Sequence, residues 1–295
     1  MHCLSKTMKF NKVYIELTNI CGLSCDFCPT KTLQYQTISV EDFEDILKQV
    51  SLYTNIITFH VFGDPLVLKN LSCYLDMASK YSLKVELVTT GYYLSNFTLD
   101  TFLHDAIKQI NFSINSFNKN DMKMTLEEYL KPMIELSYLK LKQNKQLFIN
   151  FRLWNLDNNS SEYEFNTKVF KILSKNFDID LSSIDYSKSI RLENKVLIDF
   201  DKYFEWPSLN SSHNSNATCY GLKSHFAILA SGKVVPCCLD SFGCIDLGNI
   251  FKTSLDIILN QKRTKDIIEG FKNDIAVEEL CQKCTFKDKF KKKNT

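Results

Sequence analysis

Cys21-Gly22-Leu23-Ser24-Cys25-Asp26-Phe27-Cys28 is the stretch from which the rest of the chain can be read. Its three cysteines stand four and then three residues apart, directly after an apolar run, Val13-Tyr14-Ile15-Glu16-Leu17. One short loop can therefore wrap three thiolates around one face of a metal centre. Three thiolates are one short of the four that usually hold a [4Fe–4S] cluster, so one iron would stay open to a small molecule. A zinc loop or three buried thiols is the plainer meaning of the same residues.

The surrounding composition allows the metal reading. The chain has 295 residues and 44% hydrophobic content, enough for one barrel-sized domain with a small extension. A net charge of +2 leaves no large electrostatic footprint for nucleic acid or an anionic membrane. No apolar run reaches the roughly 18 residues a membrane helix needs, and Met1–Phe10 lacks the apolar centre of a signal peptide. The expected compartment is the cytoplasm. There, eleven cysteines point to metal or catalytic ligands before disulfides.

Outward from the cysteine loop, strand and helix patterns alternate. Val13–Leu17 is the first strand. Ser39 is placed as a helix N-cap, with Val40, Phe43, Ile46, Leu47 and Val50 at helical spacing behind it. Strands are expected at Ile56–Val61, Lys84–Val88, Ile110–Ile114 and Leu147–Leu153. Helices are expected at Asn70–Tyr81, Leu99–Ile107, Met133–Leu141 with Pro132 near its start, and Tyr163–Leu173. Five such alternations imply a parallel sheet covered by helices. A sixth strand is expected within Phe177–Ser187, with Arg191–Phe200 belonging to the next region.

In a barrel of parallel strands, the loops at the C-terminal strand ends meet at one rim. The cysteine loop follows strand one, Phe62-Gly63-Asp64-Pro65 strand two, and Thr89-Thr90-Gly91 strand three. Ser113 and Asn115 close strand four, and Arg152 lies near the end of strand five. The cysteine spacing, with Phe27 before the third cysteine, resembles the signature of the radical S-adenosylmethionine (SAM) superfamily. Phe62-Gly63-Asp64-Pro65 resembles that family's Gly-Gly-Glu-Pro segment, with Phe62 in place of the first glycine and Asp64 in place of glutamate. Thr89-Thr90-Gly91 and Ser113-Ile114-Asn115 are similar to its turns after strands three and four.

The resemblance implies that Cys21, Cys25 and Cys28 hold a SAM-cleaving [4Fe–4S] cluster. It also implies that Gly63 and Asp64 sit at the SAM amino group, that Ser113 and Arg152 serve its carboxylate or ribose, and that Phe27 lies beside the adenine.

A second cysteine set follows. Cys219, Cys237 and the pair Cys281 and Cys284 could close four-coordinate ligation around a cluster or a zinc ion, and spacing alone leaves both open. Ser231-Gly232-Lys233-Val234-Val235-Pro236-Cys237-Cys238, followed by Leu247-Gly248-Asn249-Ile250, resembles the auxiliary-cluster region of SPASM and Twitch radical SAM proteins. No cysteine follows Cys284, so the form with one auxiliary [4Fe–4S] cluster fits better than the two-cluster form. Cys238 is expected in packing, Cys244 as an unassigned thiol, and Cys3 and Cys73 as incidental. His60 and His225 are the histidines nearest the implied sites.

The resemblance thus implies a partial (β/α)6 TIM-like barrel over 1–200. It implies a Twitch-type α+β cluster subdomain over 201–286, and a solvated basic tail over 287–295. The implied activity is reductive SAM cleavage to a 5′-deoxyadenosyl radical and hydrogen abstraction from a substrate, with net oxidation of a carbon centre. The implied partners are a reductant such as flavodoxin or ferredoxin and a small-molecule, sugar or peptide substrate. Neither membrane nor nucleic acid is expected. The rival readings are a peptide maturase, an RNA-modifying enzyme, and a non-enzymatic electron carrier or zinc protein.

Overall fold

The computed structural model describes residues 10–29, 33–156 and 160–290. Cys3 and residues 291–295 of the Lys-rich end lie outside the described residues. Six parallel strands follow one another across the sheet: β1 (Lys12–Ile15), β2 (Ile56–Phe59), β3 (Lys84–Thr89), β4 (Ile107–Ser113), β5 (Phe148–Leu153) and β7 (Val196–Phe200). An antiparallel strand, β6 (Ile190–Glu193), caps the β7 edge. At the opposite edge β8 (His225–Ile228) pairs parallel to β1, and β9 (Val234–Val235) pairs antiparallel to β8. The second half of the chain therefore continues the same sheet.

The helices α1 (Val40–Val50), α2 (Leu71–Lys80), α4 (Leu126–Lys142) and α5 (Ser160–Phe177) connect these strands, and short α3 (Asn115–Asn118) follows β4. Ser39 caps α1 by accepting from Asp42 N at 3.0 Å. The apolar spacing then buries Phe43, Ile46, Leu47 and Val50, each removal from water worth about 1.5–3 kcal/mol. The C-terminal part adds α6 (Leu255–Asn260), α7 (Lys262–Lys272) and α8 (Glu279–Gln282). Strand side chains alternate between the helical shell and the barrel interior. Val85 and Leu87 of β3 are fully buried, whereas Glu86 and Val88 line the interior.

Three expectations change. Leu99–Ile107 forms no α-helix: only Leu99–Leu103 is helical, as a 3-10 helix that ends at His104, whose ring Nδ1, accepting from Ala106 N, turns the chain into β4. No strand forms within Phe177–Ser187, because Asp180 and Asp185 accept from the backbone N–H of Ser182 and Ser187 and hold turns instead. The sixth parallel strand is β7, inside the run expected to belong to the next region. Pro132 lies in the interior of α4, since the helix starts earlier on a capping box of Thr125 and Glu128.

Candidate active site

The cysteine loop leaves the C-terminal end of β1. Cys28 N donates to Cys25 O at 3.1 Å, which folds the third cysteine back over the second. Gly22 takes φ +77°, and a Cβ there would lie 1.8 Å from Tyr93 Oη, so glycine alone fits. Asn120, just past α3, donates from Nδ2 to Cys25 Sγ at 3.0 Å and accepts from Ser24 N at 2.9 Å. Cys21, Cys25 and Cys28 share the wall of a cavity of about 130 Å³ with Phe27, Gly63, Ser113 and Arg152. The structure thus brings the expected rim residues together.

The turn after β2 is clamped from three sides. A Cβ on Gly63 would sit 2.0 Å from Thr18 O, so the backbone passes against the chain leading into Cys21. Asp64 N donates to Ile20 O at 2.9 Å. The Asp64 carboxylate, 1% exposed, accepts from Leu66 N, Thr89 Oγ1, Thr90 N and Thr90 Oγ1 at 2.7–2.9 Å. Those contacts occupy its acceptor positions and tie the β2 turn to the β3 turn. Burial raises its pKa, and the four donors oppose that rise. Glu16 makes a second clamp, accepting from Phe62 N at 3.1 Å and Ala230 N at 3.0 Å, and burial pushes it up to about 7.

Arg152 of β5 has its Nε buried without a hydrogen-bond partner, and its guanidinium lies 4.5 Å over the Trp154 ring. A buried, unpartnered donor on a cation suits an anionic group such as a carboxylate. His60 is held neutral, lowered to about 3 by burial and by the charges of Arg152 and Lys12. His60, Val88, Arg152, Trp154, Phe204 and Trp206 also form one side of a second cavity, of about 270 Å³. Its floor is Lys12 paired to Glu86, with Thr58 beside them. His225 borders it too, lowered to about 4 by burial and by Lys12.

The far wall of this second cavity carries Cys219, Cys237, Cys281 and Cys284. Burial and neighbouring thiolates push Cys237 and Cys281 well above the usual thiol range. Four half-buried thiols whose thiolates would repel one another are a donor set that a cationic metal centre would hold deprotonated. Both cysteine sets therefore fit iron–sulfur clusters in their chemistry. Cys238 also borders the cavity, but it packs, with Tyr14, against the apolar cluster that holds Val61 and Phe62. Exposed Cys244 faces a separate solvent-open groove, and exposed Cys73 lies in α2. The basic run begins differently from expectation: Lys287 is 1% exposed, within a 3-10 turn over Phe286–Phe290, because its ammonium is ringed by acceptors.

Asn120, Glu16, Lys287 and the aromatic segment 203–206 were not legible as site residues. None lies in a spaced motif, and each reaches the site only through long-range folding.

Comparison with known proteins agrees with this geometry. Residues 15–144 match the profile of the Radical SAM superfamily, and residues 219–285 match SPASM, an iron-sulfur cluster-binding domain. The chain carries a Radical SAM domain, which marks it as an enzyme, and an SPASM-type domain. The first domain implies a [4Fe–4S] cluster and SAM, the second auxiliary iron–sulfur ligation. A curated relative is the S-adenosyl-L-methionine-dependent 2-deoxy-scyllo-inosamine dehydrogenase of Niallia circulans, 24% identical over 107 residues. That match spans 34% of this chain and 43% of the relative, less than half its length.

Among solved structures, BtrN in complex with AdoMet and 2-DOIA superposes with a TM-score of 0.61 at 15% identity, over 95% of this chain and 94% of that one. Streptococcus suis SuiB bound to precursor peptide SuiA gives 0.58 at 15% identity, over 88% of this chain and 67% of that one. At these identities the likeness is one of fold. No helix among the described residues is long and apolar enough to cross a membrane.

Proposed function

We propose that this chain oxidises a carbon centre of a small substrate by radical chemistry. In this reading Cys21, Cys25 and Cys28 hold the SAM-binding [4Fe–4S] cluster, and Cys219, Cys237, Cys281 and Cys284 hold one auxiliary [4Fe–4S] cluster. The carrying observation is the shared wall. His60, Arg152, Trp154, Phe204 and Trp206 border both cavities, so a molecule bound there touches residues that face each cysteine set. When bound, the first cluster and SAM supply a 5′-deoxyadenosyl radical. A flavodoxin or ferredoxin is the proposed source of the initiating electron.

The chain's residues then have distinct work. Arg152 and Ser113 bind the SAM carboxylate, Phe27 covers the adenine, and the Gly63 backbone faces the amino group. Asp64 acts through the two turns it ties together. Trp154, Phe204 and Trp206 exclude water from the reacting carbon. For a carbinol, oxidation to a carbonyl removes the carbon-bound hydrogen atom (to the 5′-deoxyadenosyl radical), one further electron and the hydroxyl proton; a cluster held by Cys219, Cys237, Cys281 and Cys284 would be the group to accept that electron. That balance is two electrons and two protons. The dehydrogenase name of the Niallia circulans relative supports oxidation over other outcomes.

Peptide modification is the second reading. In its favour is a solvent-open groove of about 950 Å³ that borders Phe27, Cys28 and Trp206. The anaerobically reconstituted chain, given dithionite and SAM, is expected to release 5′-deoxyadenosine, and Cys25→Ala to abolish it. Unimpaired cleavage by Cys25→Ala would remove the reading.

A further inference from the structure

Lys287 is a lysine with almost no water. It is 1% exposed, and its Nζ donates to Ser215 Oγ at 2.8 Å, Cys284 O at 3.0 Å and Gln282 O at 3.1 Å. Ser215 Oγ spends its own proton on Asp288 Oδ1 at 2.9 Å, so toward Lys287 it can only accept. The two carbonyls are acceptors by nature. Three acceptors around one nitrogen require three N–H bonds, which only the ammonium form has.

This charge sits in the wall of the cavity that carries the auxiliary cysteines. Phe286 packs on Phe204, and Phe290 on Tyr220, so the surroundings are aromatic. In such surroundings a fixed charge acts further than it would in water. Among the described residues its ion-pair partner is the Asp288 carboxylate, 3.7 Å away and shared with His213.

We propose that Lys287 tunes the auxiliary site: its ammonium, seated against the Cys281–Cys284 turn, raises the reduction potential of the cluster held there and so favours acceptance of the substrate's electron. This rests on the reading that Cys219, Cys237, Cys281 and Cys284 hold a [4Fe–4S] cluster. Potentials of such clusters follow net local charge. A cation beside the cluster stabilises the reduced form, which carries one more negative charge. Lys287 is thus a positioning and tuning residue; it acts through the cluster and does not touch substrate.

The test uses the full chain with Cys21, Cys25 and Cys28 changed to Ala, so that cluster iron is confined to the auxiliary site. Midpoint potentials are read by EPR-monitored redox titration. Lys287→Met is expected to lower the reduced-to-oxidised ratio at a fixed potential by about tenfold or more, about 59 mV for one electron. Lys287→Arg should restore it. Asp288→Asn, which removes the nearby negative charge and keeps the lysine, should move the midpoint the opposite way. It decides the matter if Lys287→Met fails to load iron. A loaded Lys287→Met with an unshifted midpoint, or no upward shift in Asp288→Asn, overturns the proposal. Absence of a [4Fe–4S] signal from the parent triple variant overturns the auxiliary-cluster reading itself, and the tuning role with it.

Discussion

Asn120 Nδ2 stands 3.0 Å from Cys25 Sγ, while the same side chain accepts from Ser24 N through Oδ1. One amide thus joins the segment after β4 to the cysteine loop, across 95 residues of sequence. It fixes the loop and places a donor on the sulfur of a proposed cluster ligand, and such hydrogen bonds raise cluster potentials.

Asn120→Ala is therefore expected to retain iron at the first site but to slow reductive SAM cleavage by about tenfold or more. That is the scale of a lost hydrogen bond to a charged group, about 1.5–3 kcal/mol. Chromatographic assay of 5′-deoxyadenosine at fixed reductant tests this. Cleavage at the wild-type rate would show that the contact is incidental.

Asp64 separates two views of the turn after β2. Its carboxylate is filled by two backbone and two hydroxyl donors, so Asp64→Ala leaves buried N–H and O–H groups unpaired, at about 1–3 kcal/mol each. We expect a loss of at least about 3 kcal/mol in urea unfolding, with weaker SAM binding. Asp64→Glu, one methylene longer in a packed site, should also destabilise. A Glu variant with normal stability and tighter SAM binding would instead mark position 64 as a direct contact.

The order of elements was legible because helical and strand periodicities each fill a whole segment, as in Val40–Val50 and Phe148–Leu153. The rim was legible because strand ends in a parallel sheet converge whatever the side chains are. What escaped depended on single hydrogen bonds. Leu99–Ile107 has helical apolar spacing, yet the His104 ring closes a turn inside it. Phe177–Ser187 has strand-like residues, yet two aspartates cap turns there. Lys287 looked like the start of a solvated run, because composition cannot show three acceptors converging from residues 215, 282 and 284.

Arg152 and Ser113 face each other across β4 and β5 as register partners, and both border the smaller cavity. Arg152→Ala and Ser113→Ala are expected to weaken SAM binding with iron content unchanged. For the arginine the loss should be about 1.5–3 kcal/mol. Equilibrium titration that returns one affinity for wild type and both variants would put the carboxylate elsewhere.

Glu16 predicts a pH dependence. Its carboxyl rises from 4.5 unfolded to about 7 folded through burial. The native chain therefore binds that proton more tightly, and the stability it contributes is full below pH 4.5 and lost as pH rises through 7. A rise from 4.5 to about 7 corresponds to about 3 kcal/mol. His60 and His225 run the other way: they are lowered, so their contribution is present above pH 6.5 and lost on acidification. Those terms are common to wild type and Glu16→Gln and cancel in the difference. Wild type should therefore lose stability relative to Glu16→Gln between pH 5 and pH 8 in urea titrations. Parallel curves would contradict the buried-acid assignment.

The auxiliary set gives the sharpest separation of readings. Cys219, Cys237, Cys281 and Cys284 border one cavity, and Cys238, on the same wall, packs against the cluster of Val61 and Phe62. With two [4Fe–4S] clusters the reconstituted chain should hold about eight irons; a zinc ion at the second site would give about four irons and one zinc. Changing Cys281 and Cys284 together to Ala should remove about four irons and leave the cluster at Cys21, Cys25 and Cys28. SAM cleavage without substrate should survive, because that first site is untouched. Substrate oxidation should fail, because the second electron would lack a nearby acceptor. Cys238→Ala should keep full iron and full SAM cleavage, since in this reading its side chain is packing beside Val61 and Phe62 and no ligand. Iron and zinc analysis with Mössbauer spectroscopy reads all three chains. Zinc in place of the second four irons would replace the auxiliary cluster with a structural site. Iron loss from Cys238→Ala equal to that of the double variant would move the fourth ligand from its neighbour to Cys238.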